Sequence, residues 1–355
     1  MKLGERSHPI HIAPGLLGRA GELIARVAGT RGFIITHPTI FRLHGRALAQ
    51  GLRGFRTETI LVPSGERQKS LRRAAMLWDA LLNRGADRES IVIAFGGGVI
   101  GDLAGFVAAT YMRGVPCVQV PTTLLAQIDA SVGGKVAINH PRAKNLIGAF
   151  SQPRLVICDV SALSTLRRRD YREGLAEVVK TAAIADAAFF EWLERNRAPL
   201  LARDEAALTF TVRRCCKIKT SVVEADERES GPRAILNFGH TVGHALESLA
   251  GYGALRHGEA VSVGMVAAAR LSCLLGALSE SDEARLLRLI EAFGLPTRLP
   301  GIPTGSVLAA LRLDKKAVGG APRFVLLQGV GRAEWGREAP ISVVHRALRS
   351  VGGTP

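Results

Sequence analysis

Lysine, aromatic side chains and paired cysteines are scarce in this 355-residue chain, and each scarcity excludes something. Three tryptophans and three tyrosines give few platforms on which nucleic-acid bases could stack. The net charge of +16 is therefore a poor sign of a nucleic-acid partner, because its arginines are spread along the chain with no basic block or tail. A basic surface instead suits an anionic small molecule, whose arrival it would speed. The cysteines (Cys117, Cys158, Cys215, Cys216, Cys273) are odd in number and lack C-x-x-C spacing. That excludes a disulfide framework and a thiolate zinc site, and it points to a reducing, cytoplasmic compartment. Met1–Gly15 carries His8, Pro9 and His11 rather than an apolar run, so no signal peptide is expected. Ile91–Ala109 holds a single charge, Asp102, but its five glycines favour a strand, a tight loop and a helix over a membrane span. An apolar fraction of 47% excludes a disordered chain, and the length suits about two domains.

Only nine of the 47 basic residues are lysine: Lys2, Lys69, Lys135, Lys144, Lys180, Lys217, Lys219, Lys315 and Lys316. Where arginine is used by default, a retained lysine is a candidate for work that needs a compact, titratable ammonium.

The first half alternates β-rich runs (Gly32–Thr36, Thr59–Val62, Ile91–Phe95, Val115–Val120, Leu155–Cys158) with helical patterns such as Ile40–Leu52 and Leu71–Asn83. Runs that are apolar on both faces suit the central strands of a parallel sheet. The alternation predicts a doubly wound, Rossmann-like α/β domain over residues 1–166. Beyond it, Gly174–Ala188, Leu200–Val223, Phe238–Leu249, Glu259–Leu275 and Glu280–Phe293 read as helices, with one short β-like run at Phe324–Leu327. A mostly helical second domain over 167–355 is expected.

Four segments carry chemistry. Gly96, Gly98 and Gly101 satisfy G-x-G-x-x-G between a strand and a helix. This is either a tight turn or a pyrophosphate cradle at a helix N-terminus. No acidic residue closes a strand some twenty residues on, so the usual ribose contact is missing; Glu66 in Ser64-Gly65-Glu66, followed by Lys69, is a substitute. Asp129–Lys135 is a second glycine turn, ending in lysine, and Lys144-Asn145 follows in what reads as a polar loop. Glu177 and Lys180 sit one helical turn apart, as a surface ion pair or as functional groups. His240 and His244 share one helical face, with His257 nearby. Spacing alone makes His240 and His244 joint metal ligands and leaves the place of His257 open. With Lys219, Arg233 and Asp314-Lys315-Lys316 adding charge, the pieces suggest nicotinamide redox chemistry on a phosphorylated or carboxylated substrate.

Together these motifs, with Tyr111-Met112-Arg113-Gly114, Pro121-Thr122-Thr123 and His257-Gly258-Glu259, resemble the 3-dehydroquinate synthase family of sugar phosphate cyclases from about Pro63 to Gly331. The resemblance implies an NAD-binding α/β domain, a metal-binding helical domain and a homodimer, with no nucleic-acid or membrane partner. It makes Glu177, His240 and His257 the ligands of one divalent ion, zinc or cobalt, and turns His244 into a substrate-side acid/base group. It assigns NAD to Ser64, Gly65, Glu66, Lys69, Gly98, Val99, Ile100, Gly101, Asp102, Thr122, Thr123, Lys135, Lys144, Ala162, Leu163, Ser164 and Thr165. The substrate falls to Asp129, Lys135, Lys144, Asn145, Lys180, Lys219, Arg233, Asn237 and one of Lys315 and Lys316, with Arg113 reaching across from a partner subunit. Ser64 stands where the family pattern leads one to expect aspartate. The implied reaction converts 3-deoxy-D-arabino-heptulosonate 7-phosphate to 3-dehydroquinate and phosphate. Another sugar phosphate cyclase and a metal-dependent polyol dehydrogenase are the alternatives.

Overall fold

The computed structural model describes residues 1–27, 29, 31–251, 255–298, 301–312 and 322–352. They form two compact units. The first comprises Met1–Arg167 with Glu205–Glu224, and the second Arg168–Asp204 with the chain from Ala225 onward. The helix Glu205–Ala225, which carries Lys219, thus packs with the α/β unit rather than with the helices around it in sequence.

In the first unit the strands β1 (Ile10–Ala13), β2 (Arg31–Thr36), β3 (Arg56–Leu61), β4 (Ile91–Gly96), β5 (Cys117–Pro121) and β8 (Leu155–Asp159) form one parallel sheet in the order β1-β8-β5-β4-β2-β3. Strand alternation divides the core into two layers. Phe33, Ile35, Val92 and Ala94 pack against the helices Leu71–Asn83 and Gly98–Thr110. Ile34, Ile91, Ile93 and Phe95 face Leu16, Ile24, Ile40 and Leu48 on the other side. Burial on both faces explains why these strands read as continuous apolar runs. From β2 the chain moves outward to β3, whereas from β4 it moves the other way to β5. The crossovers therefore diverge between β2 and β4, and a crevice opens beyond their carboxyl ends.

Two parts of this unit differ from the sequence reading. β1 is a four-residue, half-buried strand, too short to carry a pattern. Lys144 and Asn145 lie in a strand rather than a loop: β6 (Lys135–His140) and β7 (Ala143–Phe150) form an antiparallel hairpin.

Among its described residues, the second unit has helices and one hairpin, of β9 (Phe324–Gly329) and β10 (Arg332–Arg337). Two expected helices are divided: Leu200–Val223 falls on Arg197–Leu201 and Glu205–Ala225, and Gly174–Ala188 on two helices as well. Arg168–Ala185 ends where Asp186 turns extended and caps Ala187–Arg195, its side chain accepting a hydrogen bond from the amide of Phe189. His240–Ala250 and His257–Leu274 meet backbone to backbone. A Cβ on Gly264 would stand 1.9 Å from the Gly239 carbonyl oxygen, and one on Gly243 3.2 Å from that of Ala260. Small residues at the crossing let the two histidine-bearing helices approach. No helix among the described residues is long and apolar enough to cross a membrane.

Candidate active site and metal centre

In the first unit the glycine turn occupies the crevice between β2 and β4. The amides of Gly98, Val99 and Ile100 open the helix without intrahelical partners, and the N-cap residue, Gly97, has no side chain to cap them. Close packing explains the later glycines. A Cβ on Gly101 would come within 2.9 Å of Gln119 Oε1, whose amide nitrogen donates to the Gly101 carbonyl. Around this turn lie buried polar atoms with no hydrogen-bond partner among the described residues: Thr36 Oγ1 at the end of β2, His37 Nδ1 just after it, and Thr122 Oγ1 after β5. Free helix amides and orphaned polar atoms at the switch point fit a dinucleotide with its pyrophosphate at the helix N-terminus. Thr36 and His37 were not legible as candidates; their only signal was their place at and just past the carboxyl end of an apolar strand.

Lys69 is the hub beside this turn. Buried itself, its ammonium donates to Asp102 Oδ2 at 2.6 Å and to the Asn145 side chain, with Glu66 at 3.9 Å. Burial pushes the Asp102 carboxyl up, and the Lys69 charge opposes it. Asn139, absent from the sequence reading, completes the cluster: its amide donates to Glu66 Oε1 at 2.7 Å, and its side-chain oxygen accepts from the Asn145 amide at 2.8 Å. This network brings Glu66, Lys69, Asp102 and Asn145 together. Ser64 and Gly65 are exposed just before it, and Lys135 and Lys144 are exposed on the hairpin. Ala162–Thr165 lie after β8, with β5 between that strand and β4; Thr165 pairs with His44 Nε2 at 2.8 Å. Arg113 is exposed in a turn where Met112, Arg113 and Gly114 all take positive φ.

Asp129 sits in the single turn of π-helix Ala126–Ala130, where Lys219 donates to its backbone oxygen at 2.6 Å and to its carboxylate. Lys219 is nearly buried, so this is a fixed ammonium rather than a solvated one.

In the second unit Glu177 and Lys180 form a buried ion pair, not a surface one. Glu177 Oε2 takes the Lys180 ammonium. Its other oxygen, Oε1, is buried with no hydrogen-bond partner among the described residues and stands 3.7 Å from His240 Nε2 and 3.6 Å from His257 Nε2. Each imidazole turns its second nitrogen away: His240 Nδ1 meets the Phe238 carbonyl at 3.2 Å, and His257 Nδ1 meets Glu247 at 3.3 Å. Zinc bonds of 2.0–2.2 Å in a tetrahedron give ligand–ligand edges of about 3.3–3.6 Å. An orphaned carboxylate oxygen and two imidazole nitrogens, spaced this way, fit a divalent ion. Burial pushes the Glu177 carboxyl up, but Lys180 and the two histidines outweigh it and hold the carboxylate charged. Burial and the Lys180 charge push His240 down, so its imidazole stays neutral, the form that ligation requires.

His244 shares the helix and lies 5.3 Å, ring to ring, from His240, yet no ligand-spaced trio among the described residues contains both. Joint ligation by i,i+4 histidines is therefore not what the geometry offers. His244 is exposed and groups instead with Glu247 and His257.

Arg233 and Asn237 belong to the turn just before His240. Arg233 is buried and donates to the Glu227 carbonyl, and Asn237 donates to Glu229 Oε1 at 2.8 Å. The Asp226 carboxylate organises this loop by accepting the amides of Ser230, Gly231 and Arg233 at 2.8–3.1 Å. Those bonds hold its carboxyl down at about 2. Asp226, Glu229 and Glu247 were missed; only Glu247, three residues after His244 on the same helix, had a usable signal. Lys315 and Lys316 lie outside the described residues.

Residues 59–173 match the family described as 3-dehydroquinate synthase N-terminal, and 174–317 that described as 3-dehydroquinate synthase C-terminal. A 3-dehydroquinate synthase of Desulforamulus reducens is 51% identical over 336 residues, 94% of each chain. Among solved structures, 2-epi-5-epi-valiolone synthase from Streptomyces hygroscopicus, with NAD+ and Zn2+ bound, is 29% identical with a TM-score of 0.90, covering 99% of this chain and 98% of its own. A 2-deoxy-scyllo-inosose synthase complexed with carbaglucose-6-phosphate, NAD+ and Co2+ is 25% identical with a TM-score of 0.88, covering 97% of each. With both halves matched and a relative identical at half of the aligned positions, the chain belongs to the 3-dehydroquinate synthase family.

Proposed function

We propose that this enzyme converts 3-deoxy-D-arabino-heptulosonate 7-phosphate to 3-dehydroquinate and phosphate, as a phosphate-eliminating lyase of the cytoplasm. The observation that carries the reading is the 51% identity to a 3-dehydroquinate synthase over nearly the whole chain, against 29% and 25% for the two other cyclases. The Glu177–His240–His257 trio and the crevice at the Gly98 turn support it, because they suit a divalent ion and NAD. When bound, NAD would take up and return one hydride, and the ion would supply Lewis acidity. Every other task falls to side chains.

Glu177, His240 and His257 would hold the ion, zinc or cobalt. Lys69 and Glu66 would hold the ribose side of the dinucleotide, with Thr122 and the Gly98–Ile100 amides on its phosphates. Lys180, Lys219 and Arg233 carry fixed positive charge, which suits a phosphate and a carboxylate better than a neutral polyol. Asp129 and Asn237 would orient hydroxyl groups. Exposed His244 can exchange a proton with solvent, which fits a group that must both accept and return one. In a homodimer, Arg113 would serve the substrate of the neighbouring subunit.

A coupled assay tests the reading. With the heptulosonate phosphate, NAD and Zn2+ or Co2+, phosphate and dehydroquinate should appear in equal amounts with no net NADH. Steady NADH accumulation on a simple polyol, without phosphate release, would identify a dehydrogenase instead.

A further inference from the structure

We propose that Glu247 is a positioning residue of the metal centre: its carboxylate accepts the Nδ1–H of His257 and so keeps the Nε2 lone pair of that imidazole free for the ion it would share with Glu177. The inference rests on the reading that Glu177, His240 and His257 hold the ion.

The two histidines are oriented by unlike means. His240 Nδ1 lies 3.2 Å from the backbone carbonyl of Phe238, two residues before it, so its tautomer is set by the main chain. His257 opens its own helix, and its Nδ1 faces a side chain, Glu247 Oε2 at 3.3 Å. Glu247 lies two helical turns beyond His240 on the same helix. One helix thus supplies both a ligand and the group that orients the ligand on the neighbouring helix. The placement is partly buried, with Glu247 15% and His257 28% exposed at the side chain, so water competes poorly for the contact. A neutral imidazole carries its proton on one nitrogen only, and a proton on Nε2 would block ligation. Glu177 Oε1 faces Nε2 at 3.6 Å, but the closer acceptor at Nδ1 favours the tautomer with its proton there, and an anionic acceptor also makes Nε2 a stronger donor to a cation. The rival role for Glu247 is direct ligation, since His244, Glu247 and His257 also lie at ligand spacing.

The test is binding of the metal alone to the metal-free full-length chain. Zn2+ is titrated calorimetrically, and Co2+ by its visible absorption. Glu247→Ala should weaken both ions about 10–100-fold, the usual effect of losing such a partner. One ion per chain should still bind, with unchanged Co2+ band positions and an unchanged melting temperature of the metal-free protein. Glu247→Gln keeps an acceptor but no charge and should fall between wild type and Glu247→Ala; Glu247→Asp should recover part of the loss. Wild-type affinity in Glu247→Ala overturns the proposal. So does an altered Co2+ spectrum in which His244→Ala weakens binding as much as Glu247→Ala, because that places the ion on the His244 side. Stoichiometric metal in His257→Ala overturns the ligand reading itself, whatever Glu247 does.

Discussion

Asp226 is a carboxylate that gathers the donors of its own loop, the Arg233 amide among them. Ser230, Gly231 and Arg233 give it backbone amides, and the Ser230 hydroxyl adds a fourth bond at 3.2 Å. With its carboxyl held at about 2 instead of the ordinary 3.8, the folded state binds a proton less readily than the unfolded chain. Its stabilisation is therefore fully present above pH ~4 and is lost as pH falls through about 2. Comparison of Asp226→Asn with wild type isolates the effect from other carboxylates. The gap in melting temperature should be constant from neutral pH down to about 4.5, then close towards pH 2. A gap that stays constant down to pH 2 would show that the charge on Asp226 contributes nothing. No sequence pattern announces this residue, because its partners are amides, which every residue carries.

At the scale of elements, the spacing of His240 and His257 beside Glu177 depends on how closely two helices cross. The Gly264 contact leaves no room for a methyl group, and the obstacle is backbone rather than a side chain that could rotate. Gly264→Ala should therefore push His257–Leu274 away from His240–Ala250. The expected stability loss is at the upper end of the ~1–3 kcal/mol typical of overpacking, together with weaker metal binding. Thermal melts of the metal-free protein and a Zn2+ titration measure the two effects separately; wild-type values in both would mean that the crossing does not set the ligand spacing.

This crossing also marks how far the sequence could be read. Histidine spacing on one helix is visible, and it points to His240 with His244. The pair with matching geometry comes from two helices joined by glycine contacts, which no local period encodes. Strands buried on both faces were legible for the same reason that they are stable: β4 is apolar at every position before its glycine. The hairpin was not, because β7 is exposed along most of its length and mixes Lys144 and Asn145 with Leu146, Ile147 and Phe150. Helix Glu205–Ala225 was legible as a helix, but its membership of the α/β unit is a tertiary fact that a linear boundary cannot express.

For the whole molecule, the net charge of +16 bears on rates rather than on the fold. A substrate carrying phosphate and carboxylate would be drawn in over the Debye length, about 10 Å at 0.1 M salt and 3 Å at 1 M. Once bound, it would be held by buried cations such as Lys180 and Arg233, which salt screens far less. The two regimes separate in kinetics. Raising KCl from about 0.05 to 0.5 M should lower kcat/KM several-fold while kcat changes little, and an equal osmolarity of sucrose should leave both unchanged. Ionic steering would be refuted by a kcat/KM indifferent to KCl. The same charge makes nucleic acid the obvious competitor for the surface. A salt-sensitive gel shift at low micromolar protein would show such binding, and arginines dispersed along the chain, without a basic tail or many stacking aromatics, lead us to expect none.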